Sequence, residues 1–476
     1  MMATAVTVML CSVFFCQLAT AQYRAEIGYD ALLAERGEAL EAGSGVEVAI
    51  AEAFVQNRYL PNFDDPEFSG KSLVDASNGP QGTSGHANNV TRRFVGNTSS
   101  ISAGVTQVTL YQANDWIDRV LGFTSGADPQ LPTYQIQNNS WIGNNYENSE
   151  AIDILNRIDY VVDKSDVLML GGTSNNDNGV PDVMGNGYNA MIVGRTGGNH
   201  GSGLTTINGA GRVKPDIVAP TNSSSLATPT VASAAAILYE AGQGTAATRS
   251  ETMRAILMAG ATKAEFPDWD RTTTRPLDEV FGAGELNIYN SYQILQGGPA
   301  APQITDPTFA VGLSGWSYVE EITAADTLFF EFEVDSGFVL DELSISLNWN
   351  LQVNDLNPDI AIFDPATSLA NLDMQFFDSS DSFLGTLVDA SLSPVDNVEY
   401  LYLRDLAAGV YTLQISGDGV TDFGLAWHGT LQAVPEPGSW LLLSVAGGAL
   451  AWRKSSHDKK RLKQGAEAKL NRASKA

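Results

Sequence analysis

Residues 222–237 place the tightest limit on what this chain can fold into. Three serines, at positions 223–225, precede a run of small apolar residues, and Pro229 lies near the start of that run. Serine is a preferred helix N-cap, proline is tolerated in a first turn, and the run has no polar face. The segment therefore predicts a turn leading into a buried helix. Ser224 or Ser225 is then either a cap alone or a nucleophile placed where backbone N–H groups and the helix dipole stabilise an oxyanion.

Short apolar segments alternate with helical patterns between residues 45 and 297. The first segment, residues 45–53, reads as a buried strand that ends at Glu52, and residues 166–176 read as another that runs into an asparagine-rich turn. Strands alternating with helices predict an α/β domain with a mostly parallel sheet flanked by helices. Residues 22–44 precede this domain and predict one short helix.

Two adjacent segments carry a resemblance to a known family. Residues 225–232, Ser-Leu-Ala-Thr-Pro-Thr-Val-Ala, follow residues 214–220, Lys-Pro-Asp-Ile-Val-Ala-Pro. Together they resemble the nucleophile segment of the subtilisin-like serine proteases (peptidase S8 family) and its lead-in. The resemblance implies a subtilisin-like sheet over residues 45–297 and makes Ser225 the nucleophile. The chain departs from the family at residues 223–224, where Gly-Thr is usual, and at Thr230, where the family has histidine.

The same resemblance assigns an acid and a base. In the family the acid ends the first strand, and the matching residue here is Glu52 in place of the usual aspartate. His86, which follows Ser-Gly at a predicted helix start, matches the base. The order Glu52, His86, Ser225 is the family's order of acid, base and nucleophile. A carboxylate in this place holds the histidine in one tautomer and stabilises its cation. Asp64 and Asp65 remain alternative acids.

An oxyanion donor and a substrate strand follow from further matches. The turn after the strand that begins at residue 166 places Asn175 where the family has its side-chain oxyanion donor, with Asn176 as the alternative. Residues 135–143 resemble the strand that lines the substrate. The edge of that strand could pair with an extended polypeptide, which is the expected ligand. The resemblance requires no cofactor. It leaves a structural calcium ion open, for which Asp177 and Asp182 are the carboxylates at hand.

The C-terminal half has a different pattern. A Gly-Pro-Ala linker at residues 298–302 leads to residues 303–432, where short strands are separated by turns rich in Gly, Asp, Asn and Pro. This pattern predicts an antiparallel β-sandwich or jelly roll. It resembles the pre-peptidase C-terminal type of accessory domain and contains no catalytic constellation.

The two ends of the chain predict export. An apolar run and a small-residue cleavage site predict a signal peptide at residues 1–21, which holds both cysteines. In residues 434–476, Pro435-Glu436-Pro437 precedes an apolar stretch at 439–452 and a basic cluster. This order predicts a single transmembrane helix and resembles the PEP-CTERM sorting signal. The resemblance implies a sorting transpeptidase acting near Pro435-Glu436-Pro437. The body would then stay membrane-anchored in the cell envelope or be released extracellularly.

The net charge and the motifs of the chain disfavour two classes of function. The net charge of −28 argues against nucleic-acid binding. A lipase of the α/β-hydrolase type is also disfavoured, because the chain lacks a Gly-x-Ser-x-Gly elbow and places histidine before serine. The sequence therefore predicts an exported serine endopeptidase that works through an acyl-enzyme with a Glu/His/Ser triad. The alternative is a catalytically inactive, protease-fold binding or structural protein of the cell envelope.

Overall fold

A computed structural model describes residues 22–79, 81–359 and 362–434. The predicted signal peptide at 1–21 and the predicted transmembrane helix at 439–452, with its Pro-Glu-Pro motif, lie outside the described residues. Across the three described ranges, no helix combines the length and apolarity that crossing a membrane requires.

The N-terminal part alternates strands with helices. Strands β1–β9 are Glu47–Glu52, Ser72–Asp75, Gln107–Gln112, Ile136–Asn139, Leu168–Gly172, Met191–Arg195, Gly203–Leu204, Val213–Lys214 and Ile217–Ala219. Helices α1–α6 are Tyr29–Arg36, Gly85–Val95, Asn148–Ser165, Ser224–Ala241, Ser250–Ala259 and Ile288–Gln296. Short helical turns occupy Gly37–Ala39, Pro66–Phe68, Ala113–Asp115, Trp116–Val120 and Ala246–Thr248.

Seven of these strands form one parallel sheet, as predicted. Its order is β2-β3-β1-β4-β5-β6-β9, and every neighbouring pair runs parallel. Val48 and Ile50 of β1 enter the core that contains α4, while Ala49 and Ala51 enter the core beneath α3. Apolar residues therefore face both sides of the sheet, which explains the nearly continuous apolar runs of its strands.

Helix α4 is the buried helix that residues 222–237 predict. Its residues from Ala227 to Tyr239 are all buried between the sheet and the surrounding helices. The helix begins at Ser224, earlier than the apolar run alone suggests, and Pro229 therefore lies inside it. Because proline has no N–H, it cannot donate to the carbonyl of Ser225 in the first turn.

The C-terminal part is a β-sandwich, as predicted. Strands β10–β19 are Ser314–Ile322, Thr327–Val334, Phe338–Asn348, Gln352–Asp355, Pro365–Ser368, Leu372–Asp378, Thr386–Ser391, Val398–Leu406, Gly409–Gly417 and Thr421–Ala433. Eight of them form two antiparallel sheets, β10-β19-β12-β17 and β11-β18-β15-β16, which is the strand order of a jelly roll. Phe330, Phe332, Phe376 and Trp427 fill the space between the sheets.

The sandwich packs directly against the α/β part through α5. Gly424 of β19 lies against the backbone of this helix, so closely that an added Cβ would meet the Thr252 nitrogen at 2.3 Å. Arg254 Nη2 donates to the Trp349 carbonyl at 3.0 Å and to Asn350 Oδ1 at 2.6 Å. The two parts therefore share a buried polar interface.

Candidate active site

Glu52 and His86 are joined by a hydrogen bond. Glu52 is the last residue of β1 and only 2% exposed. His86 is in the first turn of α2, which Ser84 caps through its side chain. Glu52 Oε2 lies 2.6 Å from His86 Nδ1. The contact fixes which imidazole nitrogen faces the carboxylate and leaves Nε2 facing away from it.

Burial and pairing shift the pKa of both groups. The hydrogen bond to Glu52 raises the pKa of His86 above its ordinary value, and this effect exceeds the opposing effect of burial. Burial raises the pKa of Glu52, against the opposing influence of His86. The pair therefore holds a proton more tightly than a free histidine would.

The alternative acids lie elsewhere. Asp65 Oδ2 accepts hydrogen bonds from Arg92 Nε at 2.7 Å and from Asn88 Nδ2 at 2.9 Å. Its other oxygen accepts the Glu67 N–H at the start of a helical turn. Asp64 is exposed. Asp65 thus stabilises the approach to α2, whereas Glu52 is the carboxylate on His86.

Ser225 shares a small cavity with His86. Ser225 is the second residue of α4 and is half-buried. A cavity of about 110 Å³ is lined by His86, Ser140, Trp141, Ile142, Gly172, Thr173, Ser174, Asn175, Ser224 and Ser225. Within the described residues the Ser225 hydroxyl donates to Ser223 Oγ at 3.2 Å and forms no hydrogen bond with His86. The structure therefore brings the predicted acid, base and nucleophile together, and the Ser225 hydroxyl is turned toward Ser223.

Asn175 is fixed beside this serine. Its Oδ1 accepts the Ser224 backbone N–H at 2.8 Å, and the Ser224 hydroxyl lies 3.1 Å from the same oxygen. Ser224 Oγ also contacts the Thr173 carbonyl. With the oxygen held in this way, the Asn175 side-chain N–H groups remain to donate to a ligand in the cavity. Asn176 does not line the cavity, and its carbonyl accepts from Ser174 Oγ.

The other described histidines have structural partners. His200 lies in a segment whose composition suggests a mobile surface loop, but the structure buries it completely. Its Nδ1 accepts the Arg195 N–H at 3.2 Å, and its Nε2 lies 2.9 Å from the Val280 carbonyl. His428 pairs with Ser314 in the sandwich. Of the described histidines, His86 alone lines the cavity.

The substrate-strand prediction needs one correction. Strand β4 lies between β1 and β5, so both of its edges are already paired and cannot accept a further strand. Residues 140–142 follow the end of β4 and line the cavity. The segment that a peptide could approach is therefore the extension of β4, not β4 itself.

The sequence did not predict the contacts that Ser223 and Ser224 make beside Ser225. Ser223 receives the Ser225 hydroxyl, and Ser224 ties α4 to the strand that ends at Gly172 through Asn175 and Thr173. They occupy the positions where the resembling family has Gly-Thr. That departure was the available signal, because serine in place of glycine at position 223 adds one hydroxyl group next to Ser225.

The two carboxylates suggested for calcium differ in their surroundings. Asp182 Oδ2 accepts the Asn145 N–H at 2.8 Å, and Asp177 is exposed. In the described part of the chain, no group of three or more His, Cys, Asp or Glu side chains is arranged to hold a metal ion.

Comparison with known proteins gives matches among solved structures only. No protein-family model matches the sequence, and no curated protein matches it. The chain is similar to a lanthipeptide protease, with 15% identity and a TM-score of 0.40 over 59% of this chain and 96% of that one. It is similar to the epidermin leader peptide processing serine protease of Staphylococcus aureus, with 15% identity and a TM-score of 0.42 over 58% and 82% of the two chains. A cold-adapted subtilisin-like serine proteinase matches with 17% identity and a TM-score of 0.36 over 52% and 90%.

Proposed function

We propose that this chain is a serine endopeptidase that hydrolyses peptide bonds through an acyl-enzyme. The observation that carries the proposal is the Glu52–His86 hydrogen bond at a cavity that Ser225 and Asn175 also line. Nucleophilic acyl transfer needs a nucleophile, a base and a group that orients the base. Here these are a serine in the first turn of a buried helix, a histidine and a buried carboxylate.

Each group then has a defined role in the reaction. Ser225 Oγ attacks the scissile carbonyl carbon while His86 Nε2 takes its proton, and Glu52 stabilises the imidazolium that results. His86 next protonates the leaving amine, which departs and leaves an ester on Ser225. Water, deprotonated by His86, hydrolyses that ester and restores the serine.

The oxyanion is stabilised from two sides. The Ser225 backbone N–H lies in the first turn of α4, where helical N–H groups have no intrahelical acceptor. The Asn175 side chain supplies a second donor, since its oxygen is already held by Ser224. Donors fixed in advance of the reaction favour the transition state over the ground state.

Nucleophilic attack requires the Ser225 hydroxyl to break its hydrogen bond with Ser223 Oγ. Rotation about its Cα–Cβ bond moves the hydroxyl from Ser223 Oγ toward the cavity, where His86 lies. Catalytic hydrogen bonds are often loose or absent without substrate and form when substrate binds. We expect an extended polypeptide along residues 140–142 to favour the rotated conformation.

The inactive alternative has its own supporting observation. The Ser225 hydroxyl is engaged by Ser223, a residue that stands where the resembling family has glycine. If this contact persists with ligands bound, the chain is a binding or structural protein built on a protease fold. The negatively charged chain and its β-sandwich would then supply the binding surfaces.

Export and anchoring are part of the proposal and depend on the ends of the chain. The signal peptide at 1–21 directs export, and the segment at 434–476 anchors the protein in the envelope or is cut near Pro435-Glu436-Pro437 to release it. The β-sandwich serves as a stabilising or surface-binding module.

A fluorophosphonate probe tests the catalytic proposal. The full chain is labelled and compared with Ser225→Ala, with Ser223→Ala as a matched control on the same turn. Labelling that disappears with Ser225→Ala and persists with Ser223→Ala supports an activated serine. A well-folded chain that takes no label, also after Ser223→Ala frees the hydroxyl, would instead support the inactive scaffold.

A further inference from the structure

The second oxygen of Glu52 has no hydrogen-bond donor among the described residues. Oε2 binds His86, but Oε1 is buried and unpartnered. A glutamate is one methylene longer than an aspartate, so its second oxygen reaches further from the backbone N–H groups of its own turn. A buried acceptor left without a donor is unfavourable, most of all in a carboxylate.

Gln112 presents the complementary group on the neighbouring strand. It is the last residue of β3 and pairs in register with Glu52 across two parallel strands. Gln112 is 3% exposed, and its Oε1 accepts the Asp115 N–H at 2.8 Å. Its Nε2 is buried and has no acceptor within the described chain.

The two side chains point to the same face of the sheet. Val48 and Ile50, which alternate with Glu52 along β1, belong to the same core as Val108 and Leu110, which alternate with Gln112 along β3. Register partners on parallel strands lie about 4.8 Å apart and share a face. A buried donor without an acceptor thus stands next to a buried acceptor without a donor.

We propose that Gln112 is a positioning residue for the Glu52–His86 pair, and that its Nε2–H donates to Glu52 Oε1 in the working protein. Its own oxygen is fixed by Asp115, so the amide group is held in one orientation. The donor would keep Glu52 ionised and turned toward His86. The inference deepens the proposed function, because it assigns a support to the acid of the proposed triad.

The surrounding charged groups are already paired. On β2, Asp75 accepts from Tyr59 at 2.7 Å, and in the turn after β3, Asp115 forms an ion pair with Arg119 at 2.9 Å. On α2, the helix that carries His86, Arg92 pairs with Asp65. His86 is the charged group that acts on Glu52, so a change at position 112 acts on the pair directly.

The test is an NMR titration of His86 in the full chain carrying Ser225→Ala, with and without Gln112→Met. Loss of the donor leaves the Glu52 anion less stabilised, so the pair should bind its proton more tightly. We expect the pKa of His86 to rise by about half a unit or more. The control is Gln107→Met at the other end of β3, which faces Glu47 in register and is exposed, and it should leave His86 unchanged.

A second variant keeps the test decisive if Gln112→Met does not fold. Gln112→Glu retains the acceptor for Asp115 and replaces the donor with a negative charge, so the pKa of His86 should rise further. A folded Gln112 variant with an unchanged His86 titration overturns the inference.

The titration needs no turnover, so it stays separate from the test of peptidase activity. If the protein is active but the pKa of His86 does not respond to substitution of Gln112, this inference fails and the proposed function stands. If the protein is inactive but the pKa responds, the inference stands. In an active protein, the acid limb of kcat/KM should move to higher pH in step with His86. A merely structural role would lower the rate without moving that limb.

Discussion

Glu52 and His86 meet at 2.6 Å where β1 ends and α2 begins, although they are 34 positions apart in the sequence. The carboxylate lies at the C-terminal end of β1, and the Ser84 cap starts the helix whose first turn carries the imidazole. The extra methylene of glutamate is therefore accommodated without losing the contact that an aspartate would make.

Glu52→Gln should lower kcat by about 10⁴-fold, because the amide no longer stabilises the imidazolium and permits the wrong tautomer. The measurement is turnover of a peptide substrate together with the rate of fluorophosphonate labelling. Glu47→Gln, the same change at the exposed start of β1, is the matched control and should leave both rates intact. Loss of activity in Asp65→Asn with activity retained in Glu52→Gln would show that the acid has been misassigned.

Asn175→Asp should lower kcat by about 10²–10³-fold with little change in KM. The substitution keeps an oxygen to accept the Ser224 N–H but replaces the oxyanion donor with a negative charge. Asn176→Asp, one residue further along the same turn, provides the control. Equal losses in the two variants would argue that the turn is perturbed as a whole.

Activity should fall on the acid side at a pH above the ordinary histidine range of about 6.5. Only neutral His86 can take the Ser225 proton, and its hydrogen bond to Glu52 raises the pKa of His86. The check is kcat/KM measured against pH at constant ionic strength. An acid limb below pH 6.5 would mean that Glu52 does not act on the base of the working enzyme.

The strands of the sheet and its buried helix could be predicted because each is encoded by a local pattern of apolar residues. Residues 45–53, 166–176 and 222–237 each carry an apolar pattern that leaves few alternatives to a buried strand or helix. Helix α4 nevertheless starts at Ser224, ahead of the apolar pattern, where Asn175 Oδ1 accepts the Ser224 backbone N–H. That contact joins distant parts of the chain and leaves no periodic signal.

The site was partly visible in the sequence for the same reason. Glu52, His86 and Ser225 follow the order of a resembling family, so their proximity could be anticipated. The pairing of Ser225 with Ser223 depends on a side-chain rotamer and could not. The burial of His200 was also hidden, since it depends on Val280 from a loop 80 residues later.

Gly424→Ala should lower the free energy of unfolding by about 1–3 kcal/mol. The added methyl group would lie 2.3 Å from the Thr252 nitrogen and 2.4 Å from its Cα, so β19 and α5 must move apart. Thermal unfolding of the full chain measures the effect. Gly312→Ala, whose added Cβ would meet only the Ser314 carbonyl at 3.6 Å, should change little. Equal stability of both variants would mean that the interface in solution is looser than this packing.

Glu251→Gln should stabilise the protein at pH 8 and have little effect near pH 4.5. Glu251 is buried at the interface with the sandwich, and burial raises its pKa from 4.5 to about 7, helped by Asp422 and opposed by Arg254. A raised carboxyl pKa means that the folded state binds more protons than the unfolded state between pH 4.5 and 7. Stability is therefore lost as the pH rises through that window, by about 3 kcal/mol in total.

The glutamine in Glu251→Gln does not ionise, so the loss of stability with rising pH disappears. Its side-chain oxygen still accepts the hydrogen bond from Asn350. The measurement is the free energy of unfolding at pH 4.5 and pH 8, with the exposed Glu320→Gln as control. A stabilisation that is the same at both pH values would show that Glu251 keeps an ordinary pKa in the folded protein. The interface between the α/β part and the sandwich would then contain a solvated charge.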